Sequence, residues 1–185
     1  TFGRAHRWME ALATLLGMAK QGRSASLLPD IISFNAAIAA CSSAEAWEQA
    51  LLAFSEVASF DLQPDAISYN SAISACERGN NTIKAHRLLM EMPSRSLQQS
   101  AVSFNAAIGA CDKGAEWTLA LQLLEEMLIT RCKPTLITYT AAMTACGKAA
   151  IWMACMDLLA QLQHDSLKPN VFIFSAAISA LERGL

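Results

Sequence analysis

The chain has 185 residues, 54% of them hydrophobic and 16% charged, with a net charge of −2. That is enough apolar material for a continuous core and too little charge for a disordered tail. No run of apolar residues is long enough for a membrane span, because Asn, Glu, Ser or Lys interrupts each one.

In chain order, Trp8-Met9-Glu10-Ala11-Leu12 within residues 1–30 reads as the second helix of a partial unit. Its closing loop, around Lys20 to Leu28, is four residues longer than the later ones, since Trp8 lies 22 residues before Asp30 whereas Trp47 lies 18 before Asp65. The first residue is Thr, so both ends are expected to be cut from something longer, and the lack of a targeting peptide carries no information.

Residues 31–65 hold two apolar series. Phe34, Ile38 and Cys41 recur at spacings of four and three, which predicts one face of a helix, here helix A. After the break Ser42-Ser43-Ala44-Glu45, Trp47, Ala50, Leu51, Phe54 and Val57 predict a second, helix B. The pair ends at Leu62-Gln63-Pro64-Asp65, where proline cannot extend the helix and Asp65 or Ser68 can cap the next one.

The opening phrase, Ile32-Ser33-Phe34-Asn35 through Cys41, returns at Ile67-Ser68-Tyr69-Asn70, Val102-Ser103-Phe104-Asn105, Ile137-Thr138-Tyr139-Thr140 and Phe172-Ile173-Phe174-Ser175, each 35 residues after the last. A fixed period of this length marks a repeat architecture. The complete units are 31–65, 66–100, 101–135 and 136–170, with a partial unit (helix A) at 171–185. Alanines at two places in each helix A (37 and 40, 72 and 75, 107 and 110, 142 and 145, 177 and 180) allow these helices to approach closely. A single hairpin cannot bury both faces, so antiparallel hairpins must stack into an all-α solenoid. In the second unit Pro93 should end helix B early, and Gln99 stands where Pro64, Pro134 and Pro169 close the others, so this junction is expected to be the least regular.

Cys41, Cys76, Cys111 and Cys146 share one repeat position among Ala and Ile, and with Cys155 they read as buried free thiols. Cys132, between Arg131 and Lys133 in an expected loop, is the one candidate for an exposed thiol, but an ordinary loop residue is the preferred reading and no chemistry is attached to it. His6, His86 and His164 are scattered, no metal-ligand spacing or glycine-rich phosphate loop occurs, and neither catalysis nor a cofactor is expected.

The 35-residue period, the opening Val/Ile-Ser/Thr-Phe/Tyr-Asn, Ala120 to Met127 (Ala-Leu-x-Leu-Leu-x-Glu-Met) and the closing Lys-Pro-Asx together resemble the pentatricopeptide repeats of the plain 35-residue type. The 34-residue tetratricopeptide repeat has the wrong period and expects its Trp in the first helix, whereas Trp47, Trp117 and Trp152 here start helix B. The resemblance implies a right-handed α-solenoid that binds single-stranded RNA, about one base per repeat. It further implies an organellar location, mitochondrion or chloroplast, and a role in RNA processing, stability, editing or translation, with no membrane and no small-molecule substrate.

In the family, the fifth and last residues of a unit contact one base. The corresponding pairs are Asn35 with Asp65, Asn70 with Ser100, Asn105 with Thr135, and Thr140 with Asn170, and Ser175 opens a fifth. By analogy they read uridine, cytidine, a pyrimidine and adenosine, giving 5′-U-C-(C/U)-A-3′. Ile32, Ile67, Val102, Ile137 and Phe172 match the position that sandwiches bases; the alternative is that they staple the start of helix A. Capping alone accounts for Asp65, Ser100 and Asn170, but less well for asparagines inside a helix. Arg78, Lys113, Lys148 and Arg183 recur at one position, either as phosphate contacts or as complements to helix dipoles, and Ser43 breaks the series. Acidic residues of helix B, Glu48, Glu56, Glu91, Glu125 and Glu126, are expected to set the net charge from the opposite face. The competing function is a protein- or peptide-binding scaffold, which binding to predicted and scrambled RNA discriminates.

Overall fold

The computed structural model describes residues 29–184 together with Met9, Glu10 and Ala13. The expected helix B and long loop of residues 1–30 lie outside the described residues, save Met9, Glu10 and Ala13, which are helical, and the last two positions. Among the described residues from Pro29 onward the regular structure is all helical: α1 Ile31–Ser43, α2 Trp47–Glu56 continued by a 3₁₀ turn Val57–Phe60, α3 Ala66–Arg78, α4 Thr82–Ser94, α5 Ala101–Gly114, α6 Trp117–Ile129, α7 Leu136–Lys148, α8 Trp152–His164 and α9 Val171–Gly184. Odd-numbered helices are the A helices and even-numbered ones the B helices.

Each helix A packs on the next, α1 on α3, α3 on α5, α5 on α7 and α7 on α9, and each B helix fills the angle between two consecutive A helices. Neighbouring B helices meet each other little, so the A layer is the closely stacked one. The two alanine positions explain this asymmetry: Ala72, Ala75, Ala107, Ala110, Ala142 and Ala145 are fully buried between A helices. Around them Phe34, Tyr69, Phe104 and Tyr139, with Ile38, Ile73, Ile108 and Met143, form one core running the length of the stack. The architecture is an all-α helical-repeat solenoid.

The turns repeat as faithfully as the helices. Positive φ occurs at Glu45, Asn80, Ala115 and Ala150, in the A-to-B turns, and at Asp61, Ser96, Arg131 and Ser166, in the B-to-A turns. Both sets are spaced by the repeat, so the left-handed residue is an architectural requirement of each turn whatever side chain occupies it.

Two sequence expectations need correction. Pro93 does not end its helix: α4 has 13 residues, as do α6 and α8, and runs on to Ser94. The missing Pro93 N–H would have bonded the Leu89 carbonyl, and Gln99 Nε2 takes that carbonyl instead at 2.8 Å. The irregular helix is α2, ten residues long, whose tightening into 3₁₀ sets Phe60 against Phe34 with ring centroids 5.3 Å apart.

Hydroxyls brace A to B where the buried aromatic is tyrosine. Tyr69 donates to Glu91 at 2.9 Å and Tyr139 to Asp165 at 2.7 Å. Burial, followed by the bond to Glu91, pushes the Tyr69 phenol up to about 12. Cys41, Cys76, Cys111, Cys146 and Cys155 are buried free thiols, and Cys132, half-buried with its thiol toward the Gln99 carbonyl at 3.6 Å, is not the exposed thiol considered from sequence. No helix among the described residues is long and apolar enough to cross a membrane.

Candidate nucleic-acid interface

The start of every helix A is built by a polar cap, and at two junctions the cap residues also reach the preceding unit. Asp65, Ser100 and Thr135 are N-caps, each in a reciprocal capping box with Ser68, Ser103 and Thr138 three residues on. Asn170 Oδ1 caps α9 by accepting from Ile173 N–H at 3.0 Å.

Two of the four fifth-and-last pairs are joined directly across the repeat junction. Asn35 Nδ2 donates to Asp65 Oδ1 at 3.0 Å, and Asn105 Nδ2 donates to Thr135 Oγ1 at 3.4 Å. No hydrogen bond joins Asn70 to Ser100 or Thr140 to Asn170. The buried Asn70 Oδ1 has no partner, and the Thr140 hydroxyl donates to Leu136 O within its own helix at 2.7 Å. Ser175 is exposed on α9.

Burial works against ionisation of Asp65, but hydrogen bonds from Ser68 N–H, the Asn35 amide, the Ser68 hydroxyl and Ile67 N–H outweigh it and hold the carboxyl below the usual carboxylate range. The pair therefore presents a fixed anion at neutral pH. Capping and pairing are thus performed by the same atoms, because the cap of one helix lies against the second turn of the helix before it.

The second residues stand clear of the core. Ile32, Ile67, Val102, Ile137 and Phe172 are 72%, 60%, 60%, 68% and 71% exposed, so most of each side chain's surface is open to solvent. They form an apolar ladder at 35-residue spacing beside the polar pairs. Two recesses lie in the face between consecutive A helices. One of about 340 Å³ is lined by Asn105, Ile137, Thr140 and Asn170, and one of about 280 Å³ by Thr140, Phe172 and Ser175. Thr140 belongs to both, so the recesses follow each other with the period of the repeat.

Arg78, Lys113, Lys148 and Arg183 are exposed in the last turns of α3, α5, α7 and α9. Lys148 is engaged: its Nζ lies 3.0 Å from Asp112 Oδ1 and 3.0 Å from the Asp112 carbonyl, at the C-terminal end of the preceding helix A. Glu77 is drawn into the same face. Burial raises its pKa, against the opposing fields of Lys113 and Arg78. Acid is therefore present on this face as well, in residues of the A helices: Glu77 and Asp112 line the 340 Å³ recess. Their signal was in the sequence, as acids immediately before Arg78 and Lys113 in successive units. Among the described residues no group of three or more His, Cys, Asp or Glu is placed to hold a metal ion.

The pentatricopeptide repeat domain, as a family, matches residues 52–115 and 87–149, together more than half of the chain. The chain belongs to the pentatricopeptide repeat family. No curated protein sequence matches it. Among solved structures, the pentatricopeptide repeat protein PPR10 in complex with an 18-nt psaJ RNA element superposes with a TM-score of 0.75 at 18% identity, over 91% of this chain and 25% of that one. PPR10 from maize gives 0.57 at 18% identity, over 99% and 36% of the two chains. The pentatricopeptide repeat domain of Arabidopsis thaliana protein-only RNase P 1, in complex with tRNA, gives 0.80 at 12% identity, over 95% and 91%. At these identities the likeness is one of fold, and this pentatricopeptide repeat chain spans about a quarter of the RNA-bound PPR10 chain.

Proposed function

We propose that the chain binds single-stranded RNA along the face formed by its A helices, one base per repeat, with a preference for 5′-U-C-(C/U)-A-3′. The observation that carries this reading is the juxtaposition of polar pairs, two of them joined across the repeat junction, with an exposed apolar ladder of the same period. An aliphatic side chain can cover a base by dispersion while the polar pair meets its Watson–Crick edge. Two of the structural neighbours were solved with RNA bound, which supports extending the same ligand class to this chain.

The chemistry of the first three pairs supports their assignment. With one Asn35 N–H spent on Asp65, the pair offers a second amide N–H and the lone pairs of a carboxylate, a donor beside an acceptor. Uracil matches with O4 and N3–H. At the second pair the Ser100 hydroxyl can donate to N3 of cytosine. The Thr135 hydroxyl beside Asn105 can donate or accept, so it serves either pyrimidine. Thr140 with Asn170 is assigned to adenosine from the family analogy.

Four complete units specify about four bases, too few for a unique transcript, so the parent protein is inferred to carry more repeats. Its role is inferred to be organellar RNA processing, stability, editing or translation, in a mitochondrion or chloroplast. The test is titration of the chain against the predicted target, single-base variants of it and scrambled RNA. Binding that falls with each change is the expected result; no affinity for any RNA overturns the reading and leaves the protein-binding scaffold.

A further inference from the structure

At two junctions the third residue of the following unit lies behind the fifth residue of the unit before. Ser68 Oγ donates to Asn35 Oδ1 at 2.6 Å and accepts from Asp65 N–H at 3.1 Å. Thr138 Oγ1 donates to Asn105 Oδ1 at 2.5 Å and accepts from Thr135 N–H at 2.9 Å. Both are wholly buried, Ser68 and Thr138 alike at 0%.

An asparagine amide is nearly the same shape when turned by half a revolution about its last bond, but the turn exchanges donor for acceptor. Whichever end faces the ligand decides which base edge fits. A hydroxyl alone does not resolve the choice, since it can donate to the oxygen or accept from the nitrogen. Asp65 resolves it at the first junction: its ionised carboxylate only accepts and takes Nδ2 at 3.0 Å, which turns Oδ1 toward Ser68 Oγ at 2.6 Å, a shorter contact than the 3.0 Å from that hydroxyl to Asp65 Oδ1.

We propose that Ser68 is a specificity-determining positioning residue, which together with Asp65 holds the Asn35 amide with nitrogen presented and oxygen occupied, and that Thr138 fills the equivalent place behind Asn105. This rests on the base-reading role proposed above. Each is then read with its own unit for capping and with the preceding unit for recognition. Ser103 supplies the contrast within the molecule. Its Oγ lies 3.0 Å from Ser100 Oγ, and Asn70 Oδ1 is left without a partner, so the Asn70 amide is not held and its unit discriminates less.

The test compares the chain with its Ser68→Ala and Ser68→Thr variants by fluorescence anisotropy. The RNAs differ only at the base facing Asn35 and Asp65 (U or C) or, as an internal control, at the base facing Thr140 and Asn170 (A or G). Loss of one fixed hydrogen bond should lower the U-over-C ratio by about five- to tenfold and leave the A-over-G ratio unchanged. S68T should retain the wild-type ratio, because threonine already occupies the equivalent position at Thr138. A purely structural loss of the cap weakens binding to every RNA alike and leaves both ratios intact, which overturns the proposal. A wild type that selects no base at any position removes the base-reading role itself and this inference with it; a wild type that selects uridine and an S68A that selects it equally removes this inference alone. Should S68A fail to fold, Thr138→Val against Thr138→Ser applies the same criterion to the pyrimidine-over-purine ratio at the third unit.

Discussion

Gln99 Nε2 donates to the Leu89 carbonyl at 2.8 Å and so replaces the hydrogen bond that Pro93 cannot make. Gln99 is buried, 8% exposed, and its removal would leave the carbonyl without water or protein to pair with. Gln99→Ala should therefore destabilise the chain by about 1–3 kcal/mol, measured by urea unfolding. In a Pro93→Ala background, which returns the backbone N–H, the same substitution should cost clearly less. Equal costs in both backgrounds would dissociate Gln99 from the proline.

The repeat, the two helices per unit and the buried aromatic, Ala, Ile and Cys positions were legible because each follows from local periodicity. Gln99 was not: it was readable as an irregularity, but its compensation of Pro93 needs the loop to fold back ten residues onto its own helix. The polar pairs were legible as positions through the family resemblance, yet the clamp on Asn35 was hidden. Ser68 lies 33 residues from Asn35, and its capping role already explained it locally. The ladder cations were likewise found, whereas the Lys148–Asp112 pair was missed because it spans a junction, 36 residues, and no helical spacing connects the two.

Asp65 fixes the charge of its pair, so Asp65→Asn should change which base is read. The new side chain can still accept from Asn35 and Ser68 with its oxygen, which turns an N–H outward where the carboxylate offered lone pairs. Preference should move from uridine toward cytidine, whose N3 accepts, by about tenfold in the ratio of affinities. The pH dependence has a definite sign. A carboxyl held below its ordinary value contributes stability that is present above the unfolded value of about 4 and is lost as pH falls through the lower folded value. Melting of the Asp65→Asn variant should consequently lose part of the wild-type decline below about pH 4.

Asp112 competes with any anion for Lys148. Asp112→Asn removes the ion-pair partner 3.0 Å away while leaving the carbonyl contact, so the ammonium becomes available to a phosphate. RNA binding by this variant should tighten and become more salt-dependent, the slope of log K against log salt steepening by up to about 0.7 for one further phosphate on a single strand. Lys148→Ala in the same background should return the wild-type slope. A slope that ignores both substitutions would assign Lys148 to the end of α5 rather than to RNA.

Gly79 ends α3 directly against the indole of Trp47, where an added Cβ would stand 2.4 Å from Trp47 Cδ2. Two effects oppose each other in Gly79→Ala. The backbone is in an ordinary negative-φ conformation, −85°, so alanine gains about 0.5–1 kcal/mol from a less mobile unfolded chain. Overpacking a rigid ring between two repeats costs about 1–3 kcal/mol, because the indole has no flexible end to withdraw. The second term is the larger, and thermal melting of G79A should fall below wild type. Trp47→Leu, which clears the ring from the junction, should reverse the sign of the Gly79→Ala effect in the double variant, since only the backbone term then remains.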